Sequence, residues 1–301
     1  MIRRAAGNGA WITACALAAG CSGGVLDPHG PITAAEKTIL LNSVAIMLAI
    51  VVPVIVATLG VAWWYRASNG AARYAPDWSY SGKIEIVVWS IPAMVILLLG
   101  GIAWIGSHDL DPPRPLRANA KTLTIEVVSL DWKWLFLYPE QGVASVNRMV
   151  VPAGTPISLK LTAATVMNNF FVPQLGSQIY TMPGMTTRLN LLADHPGQFR
   201  GLSAQFSGDG FSAMGFTVDA MPPQEFETWA STARGKDRPL NAESYLELAK
   251  PSQRVAPTTY DGVDPGLFDA IVGMKLSAST TPRSDNDTAF LAAIDPICRG
   301  K

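Results

Sequence analysis

The chain is poor in the residues that build metal centres and disulfide frameworks. Its 301 residues include only three histidines and three cysteines. The cysteines, Cys15, Cys21 and Cys298, fit neither the spacing of a zinc site nor that of a disulfide framework. Charged residues are also scarce, at 15% against about a quarter in average soluble proteins. Because the formal net charge is zero, nothing indicates a nucleic-acid partner, and the low charge content instead favours membrane-spanning segments.

The first twenty residues have the pattern of a secretory signal peptide. Arg3 and Arg4 form a positive end that is followed by a short apolar run. Small residues then lead directly to Cys21 in LAAGCSGG, which is similar to a bacterial lipobox. We therefore predict a signal peptide over residues 1–20 and a lipidated Cys21 at the start of an exported segment, residues 21–38. The alternative is an ordinary signal peptide followed by an unmodified cysteine.

Two further segments are long enough to cross a bilayer, which needs about 20 apolar residues. They cover residues 39–65 and 84–105, and each contains one proline, which neighbouring helices make tolerable in a membrane. The loop between them carries three basic residues and one acid, so it is assigned to the cytoplasm. We predict a transmembrane hairpin over residues 39–106 in the bacterial inner membrane, with everything that follows in the periplasm.

Glu85 lies at the cytoplasmic mouth of the second predicted span. An ionisable residue at a helix end is often simply solvated. Carboxylates at the edge of a membrane segment also serve as members of proton relays. The residues alone leave both interpretations open.

The periplasmic part divides into four regions by composition. Residues 107–120 are rich in proline and charge, which predicts a linker that holds the soluble part off the membrane. Over residues 121–221, short strand candidates alternate with glycine, proline and Asx turns, which predicts an all-β Greek-key sandwich. Residues 222–277 have helical periodicity and helix-start signals. The polar segment over residues 278–301 is predicted to be a flexible tail.

Two segments of the predicted sandwich have the arrangement of a metal-binding loop but lack the donors. They are MNNFFVP, residues 167–173, and RGLSAQFSGDGFSAMGF, residues 200–216. Thiolates and imidazoles are the ligands that hold copper in proteins. These segments offer hydroxyls, amides, phenyl rings and thioethers instead. We therefore expect this chain to bind no metal and no cofactor.

Four segments carry a resemblance to a known family: SLDWKWLFLYPEQG, VMNNFFVPQLGSQIY, MPGMTTRLNL and SGDGFSAMGF. Together with the lipobox and the hairpin, they resemble subunit II of the haem-copper terminal oxidases, and most of all its quinol-oxidising, cytochrome bo-type branch. The resemblance covers approximately residues 15–275. It implies a two-helix transmembrane hairpin followed by an all-β cupredoxin-like Greek-key sandwich with short C-terminal helices.

In the cytochrome c-oxidising branch of this family, the sandwich holds a dinuclear copper centre. The resemblance assigns its histidines, cysteines, glutamate and methionine to six positions here, which are Asn168 and Phe211, Ser203 and Ser207, Gln205, and Met214. Only the methionine is retained. The resemblance therefore implies a sandwich without copper that takes no electrons from a soluble cytochrome c.

The resemblance assigns roles to two further residues. Glu85, in KIEIVVWSIP, matches a glutamate at the entrance of a proton-conducting channel into the partner subunit. Trp134, in DWKWLFLYP, matches the tryptophan that passes electrons on from the copper centre. Because copper is not expected here, we predict that Trp134 packs against the catalytic subunit, as aromatic anchors commonly do.

The resemblance thus implies a subunit of a ubiquinol oxidase. Subunit I is then the partner that carries the haems, the copper and the quinol site, reduces oxygen to water and translocates protons. This chain would anchor the assembly with further small membrane subunits, cap the periplasmic face and supply Glu85. The alternative is a stand-alone lipoprotein, tethered to the membrane, whose cupredoxin-like domain is a binding module. A plain lipoprotein does not need a two-span hairpin, which argues against this alternative.

Overall fold

The computed structural model describes residues 24–73, 75–116, 121–235 and 237–276. The predicted signal peptide, the lipidation site at Cys21 and the predicted tail lie outside these residues. A short 3₁₀ turn is followed by two long helices, α1 (Pro31–Trp64) and α2 (Gly82–Asp109). By length and composition each helix is able to cross a membrane, and the most apolar stretch of each is exposed. They are therefore not core helices of a soluble domain.

The two helices form an antiparallel pair that extends beyond the predicted spans at its outer end. α1 begins at Pro31, a residue type that is favourable at the first helical position because it needs no hydrogen-bond partner there. The helices approach closely where Gly106 lies beside Ile39. A Cβ atom on Gly106 would lie 2.8 Å from Cδ1 of Ile39, so glycine permits the contact.

The remainder of the chain forms strands and three short helices. The strands are β1 (Leu123–Leu130), β2 (Lys133–Tyr138), β3 (Val143–Val146), β4 (Arg148–Pro152), β5 (Ile157–Ala163), β6 (Asn168–Phe171), β7 (Ile179–Thr181), β8 (Thr187–Leu191), β9 (Gly197–Ser203), β10 (Gly215–Met221), β11 (Pro239–Leu240) and β12 (Thr258–Val263). The short helices are α3 (Pro223–Ala233), α4 (Ala242–Ala249) and α5 (Leu267–Val272).

The strands form two sheets that pack face to face. The large sheet has the order β11-β12-β3-β2-β1-β5-β8, and the small sheet has the order β4-β10-β9-β6-β7. Neighbouring strands are antiparallel except for the parallel pairs β1–β5, β4–β10 and β11–β12. Apolar side chains from both sheets fill the space between them. This arrangement, two long apolar helices and then a sandwich with short C-terminal helices, confirms the predicted fold class.

The large sheet is covered on its outer face as well. Every residue of β2 is buried: Trp134 and Phe136 point into the sandwich, whereas Leu135 and Leu137 belong to a second core. The other side of this second core is the C-terminal arm, residues 237–276, which contributes buried side chains from α4, α5 and β12. Because both faces of β2 are apolar, the sheet requires a layer on each side.

The arm contains strands as well as helices, which the sequence analysis did not predict for residues 222–277. β12 pairs with β3 over four residue pairs, from Thr258 opposite Val146 to Asp261 opposite Val143. The segment lies between helix-start signals in the sequence, and its pairing with β3 on one side and β11 on the other distinguishes it from a loop.

A buried lysine fastens the arm to β2. Nζ of Lys133 donates to the backbone oxygen of Lys250 at 2.7 Å and to Oγ of Ser252 at 2.6 Å. Burial lowers the pKa of the Lys133 ammonium below its ordinary value, and the nearby Asp131 carboxylate opposes that shift. The aliphatic part of the side chain is meanwhile enclosed, so Lys133 links the two layers through both packing and hydrogen bonds.

The sandwich is fixed directly to both long helices. Gly30, which precedes α1, lies so close to the sandwich that a Cβ atom there would be 2.3 Å from the carbonyl oxygen of Leu192. The side-chain amide of Asn190 donates to the carbonyl oxygen of Pro113 at 2.9 Å, in the segment that follows α2. The described part of the predicted linker, residues 107–116, first continues α2 and then lies against the sandwich.

Replacing Phe268 with alanine tests whether the arm is part of the folded unit. Phe268 is buried in the second core, so Phe268→Ala should cost about 3–5 kcal/mol of unfolding free energy. Leu246→Ala, on the same arm but 37% exposed, should cost less than about 1 kcal/mol. Urea unfolding of a fragment that lacks α1 and α2, followed by tryptophan fluorescence, measures the loss of unfolding free energy in both variants. Equal small losses would mean that the arm unfolds independently of the sandwich.

Candidate functional site

The six positions that the resemblance assigns to copper ligands meet at one end of the sandwich. Asn168 begins β6, Ser203 ends β9, and the loop after β9 returns at Met214 to β10. Oγ of Ser203 donates to Oδ1 of Asn168 at 3.1 Å, and the backbone N–H of Ser203 donates to the carbonyl oxygen of Met214 at 3.3 Å. Oγ of Ser207 lies 3.9 Å from Sδ of Met214. These contacts therefore join the start of β6, the end of β9 and the loop before β10 into one cluster.

The side chains at these positions bond mainly to one another and to nearby backbone. Nδ2 of Asn168 donates to the carbonyl oxygen of Val166 at 3.2 Å, and Oγ of Ser203 also lies 3.3 Å from the carbonyl oxygen of Gln205. Asn168, Ser203 and Met214 are all buried. Such mutual bonding is what buried polar groups require in the absence of water or a ligand.

The chemistry available at this end of the sandwich is limited. Hydroxyls, amides, a phenyl ring and a thioether are neither soft anionic donors for copper nor general bases. Over the described residues, histidine, cysteine, aspartate and glutamate form no group of three or more that is arranged to hold a metal ion. The arrangement can join loops and present a surface.

Trp132 is a residue of this site that the sequence analysis overlooked. Its indole Nε1 donates to the carbonyl oxygen of Ser207 at 3.0 Å. The ring lies against two glycines of the SGDG segment, and a Cβ atom on Gly210 would be 2.3 Å from Cδ2 of the indole. Gly208, with φ of +101°, provides a backbone conformation that other residues rarely adopt. Trp132 thus holds the loop that carries Ser203, Gln205 and Ser207 in place.

Trp134 does not lie where the sequence analysis placed it. The side chain is completely buried, with 0% of the residue exposed. It packs edge-on against Phe170, with ring centroids 5.3 Å apart, and against Phe216 at 5.6 Å. The prediction that Trp134 packs against another subunit is therefore wrong. Trp134 lies on the inner face of β2, where its ring packs in the sandwich core.

A group of exposed apolar side chains surrounds the site. Phe206 is 72% exposed and packs edge-on against Phe211, with ring centroids 5.7 Å apart. Met167 and Tyr180, also largely exposed, flank the start of β6, since Tyr180 pairs with Asn169. We call this surface the apolar face; it consists of Trp132, Val166, Met167, Tyr180, Phe206 and Phe211. Contiguous exposed apolar groups of this kind mark interaction sites.

Glu85 lies far from this cluster, in the first turn of α2. Its side chain is exposed, and its backbone N–H donates to the carbonyl oxygen of Ser81 at 3.0 Å. A carboxylate is favourable at this end of a helix because the helix dipole is positive there. The sandwich is at the other end of the hairpin, so the structure does not bring Glu85 together with the six positions.

Two family models match the periplasmic region. The model described as cytochrome c oxidase subunit II, periplasmic domain, matches residues 140–221. The model described as COX Aromatic Rich Motif matches residues 234–275, which are almost the whole C-terminal arm. The two matches thus correspond to the sandwich and to the layer that covers its outer face.

Curated relatives extend the similarity over most of the chain. The cytochrome bo(3) ubiquinol oxidase subunit 2 of Pseudomonas aeruginosa is 48% identical over 256 residues, which are 85% of this chain and 77% of the relative. The ubiquinol oxidase subunit 2 of Acetobacter aceti is 46% identical over 277 residues, 89% and 90% of the two chains. Among solved structures, the periplasmic domain of subunit II of cytochrome oxidase from Bradyrhizobium japonicum covers 41% of this chain and 99% of its own, at 27% identity and a TM-score of 0.38.

Identities of this size over more than three quarters of each chain show the family: the chain belongs to the family of subunit 2 of the cytochrome bo(3)-type ubiquinol oxidases, haem-copper oxidoreductase complexes.

Proposed function

We propose that this chain is a copper-free subunit 2 that supports assembly of a membrane ubiquinol oxidase and caps its periplasmic face. The observation that carries the proposal is the cluster of Asn168, Ser203, Gln205, Ser207, Phe211 and Met214. These side chains occupy the copper positions of the cytochrome c branch and form hydrogen bonds and packing contacts in place of metal bonds.

Without thiolates or imidazoles at this end of the sandwich, a soluble cytochrome c finds no electron acceptor here. Electrons then enter the complex from ubiquinol within the membrane. The haems, the copper and the quinol site belong to the partner, subunit I, which reduces oxygen to water and translocates protons. Further small membrane subunits complete the assembly.

Purification of the tagged complex from its own membranes in mild detergent tests this proposal. We expect haem to co-purify and oxygen uptake to respond to ubiquinol but not to reduced cytochrome c. The purified periplasmic fragment should take up no stoichiometric copper and show no thiolate-to-copper absorption band. A haem-free preparation that is inert with both donors would instead support the alternative of a tethered lipoprotein with a cupredoxin-like binding module.

For the membrane arrangement, we propose a two-span protein of the bacterial inner membrane with its sandwich in the periplasm. The basic loop between α1 and α2, with Arg66, Arg73 and Lys83, supports a cytoplasmic position for that loop. The lipobox supports a diacylglycerol on Cys21, which would add an anchor to the two helices. The intact mass of the purified chain decides the latter, because an unmodified or uncleaved N-terminus has a different mass.

For Glu85, we propose a place at the entrance of a proton channel that continues into subunit I. Its exposed carboxylate at the end of α2 that is remote from the sandwich supports this position. A carboxylate there can exchange protons with the cytoplasm and present them to an acceptor within the membrane.

Removing the carboxylate of Glu85 should therefore slow proton delivery while leaving the assembly intact. We expect Glu85→Gln to lower both quinol-driven turnover and proton pumping in reconstituted vesicles, with an unchanged haem content. Asp77→Asn, an exposed acid in the same loop region, is the matched control and should behave as the native complex does. Unchanged turnover and pumping in Glu85→Gln would remove Glu85 from the mechanism.

For the periplasmic contact, we propose that the apolar face, and not Trp134, packs against subunit I. Phe206 and Tyr180 of this face are exposed, and Trp132 and Phe211 are partly exposed, beside the positions that hold copper in the cytochrome c branch. Rigid aromatic groups are also the residue types that carry most of the binding energy in protein interfaces.

Phe206→Ser tests this contact, because Phe206 is the most exposed member of the face, at 72%. Burying a phenylalanine side chain contributes about 1.5–3 kcal/mol, so the affinity for the partner should fall by roughly 10-fold to 100-fold. The measurement is the haem retained per tagged subunit on dilution in detergent. Leu246→Ser, on the C-terminal arm and away from the face, is the control. Equal haem retention by the two variants would contradict the assignment.

A further inference from the structure

A cleft of about 310 Å³ lies at the outer end of the helix pair. One wall is the start of α1, with Pro31 and Ile32, and the other is the segment over residues 109–116 that follows α2. We propose that this cleft binds the headgroup of a zwitterionic aminophospholipid of the outer leaflet. The inference rests on the proposed two-span topology.

The depth of the cleft places it within reach of lipid headgroups. At their outer ends, the apolar stretches stop at the ionisable residues Lys37 on α1 and His108 on α2. Ile32 lies five residues beyond Lys37, or about 7.5 Å along the helix axis. The polar layer of a bilayer is roughly 5–7.5 Å thick on each side. Asp109, the last residue of α2, is therefore inside this layer, and Ile32 is at its outer edge.

The charges of the cleft match both charges of a zwitterionic headgroup. Arg114 provides the positive charge: Nη1 donates to Oδ1 of Asp109 at 2.9 Å, and its side chain is 53% exposed. A guanidinium has further N–H groups, which are suited to a phosphate that accepts two hydrogen bonds at once. The carboxylates of Asp109 and Asp111, both in exposed residues lining the same cleft, provide acceptors for a lipid ammonium group.

The same charges discriminate against anionic lipids. A phosphate without an attached ammonium would gain the contact with Arg114 but would lie beside two carboxylates, which repel it. A headgroup that carries an ammonium converts that repulsion into attraction. Leu110 and Leu116, which are partly exposed, line the cleft with apolar surface, against which the methylene groups of the headgroup can pack.

Lipid analysis of the assembled complex tests the site. The complex is purified in mild detergent, and its retained phospholipids are extracted and quantified by class with mass spectrometry. Arg114→Gln removes the phosphate partner, whereas Leu116→Trp fills the cleft and leaves Arg114 in place. We expect both variants to lose an aminophospholipid equivalent that the native complex retains, at unchanged haem content.

A matched control and a specificity variant complete the experiment. Lys121→Gln breaks an exposed ion pair with Glu140, in which Nζ and Oε2 are 2.7 Å apart, outside the cleft. It should retain the lipid. The double variant Asp109→Asn and Asp111→Asn should raise the retained ratio of phosphatidylglycerol to phosphatidylethanolamine, because the repulsion of anionic headgroups is gone.

The outcomes separate this inference from the topology on which it rests. Absence of the chain from the membrane fraction would overturn both. Membrane-bound, haem-containing Arg114→Gln and Leu116→Trp complexes with native lipid content would overturn only the lipid site. If Arg114→Gln fails to assemble because Arg114 also approaches the carbonyl oxygens that end α2, Leu116→Trp decides alone.

Discussion

Burial of the large sheet on both faces is the condition on which the rest of the structure depends. β2 carries aromatic side chains on one face and leucines on the other, and all of its residues are buried. The small sheet covers the first face, and the C-terminal arm covers the second. A strand that is apolar on both faces cannot be stable at a surface, so the arm is needed for the sandwich itself. Its match to a family model of its own agrees with that requirement.

This double burial explains how the end of the sandwich stays ordered without metal bonds. In a copper site, the ligand bonds close the loop and contribute to folding free energy. Here the loop after β9 is closed by the hydrogen bond from Ser203 to Asn168 and by the bond from Trp132 to the carbonyl of Ser207. The stacked pair of Phe170 and Phe216, with ring centroids 4.9 Å apart, packs in the sandwich core and supports these two hydrogen-bonded contacts. In the proposed copper-free subunit, packing and hydrogen bonds thus take over the role that the metal has in holding the loops.

The sequence was sufficient for the two long apolar helices and the sandwich, because hydropathy and short motifs are local properties. It was insufficient for Trp132 and Trp134. Residues two apart in a strand point to the same face, so the DWKW pattern predicts that Trp132 and Trp134 lie on the same face of one strand. Trp132, however, has a φ of +64° in the turn between β1 and β2, and its ring is held by glycines more than 70 residues later in the chain. Likewise, β12 is defined by its pairing with β3 and β11, and the requirement for glycine at position 30 comes from its contact with Leu192. Contacts between residues far apart in the sequence determine all of these features, and local sequence patterns do not contain that information.

In the proposed copper-free role, the chain influences the oxidase through where it places its surfaces. The end of β8 contacts both membrane helices, through Leu192 at the start of α1 and Asn190 after α2. The apolar face is therefore held in a defined position relative to the hairpin and does not hang from a flexible tether. A partner subunit that binds the two helices in the membrane is held close to the apolar face, so the effective concentration for the second contact is high. Two contacts that are each modest, one with the helices and one with the face, then give a strong association. Glu85 lies 24 residues before Asp109, the end of α2 next to the sandwich, or about 36 Å along the helix axis. The two ends of the hairpin can therefore serve assembly and proton entry independently, since effects at well-separated sites are generally additive.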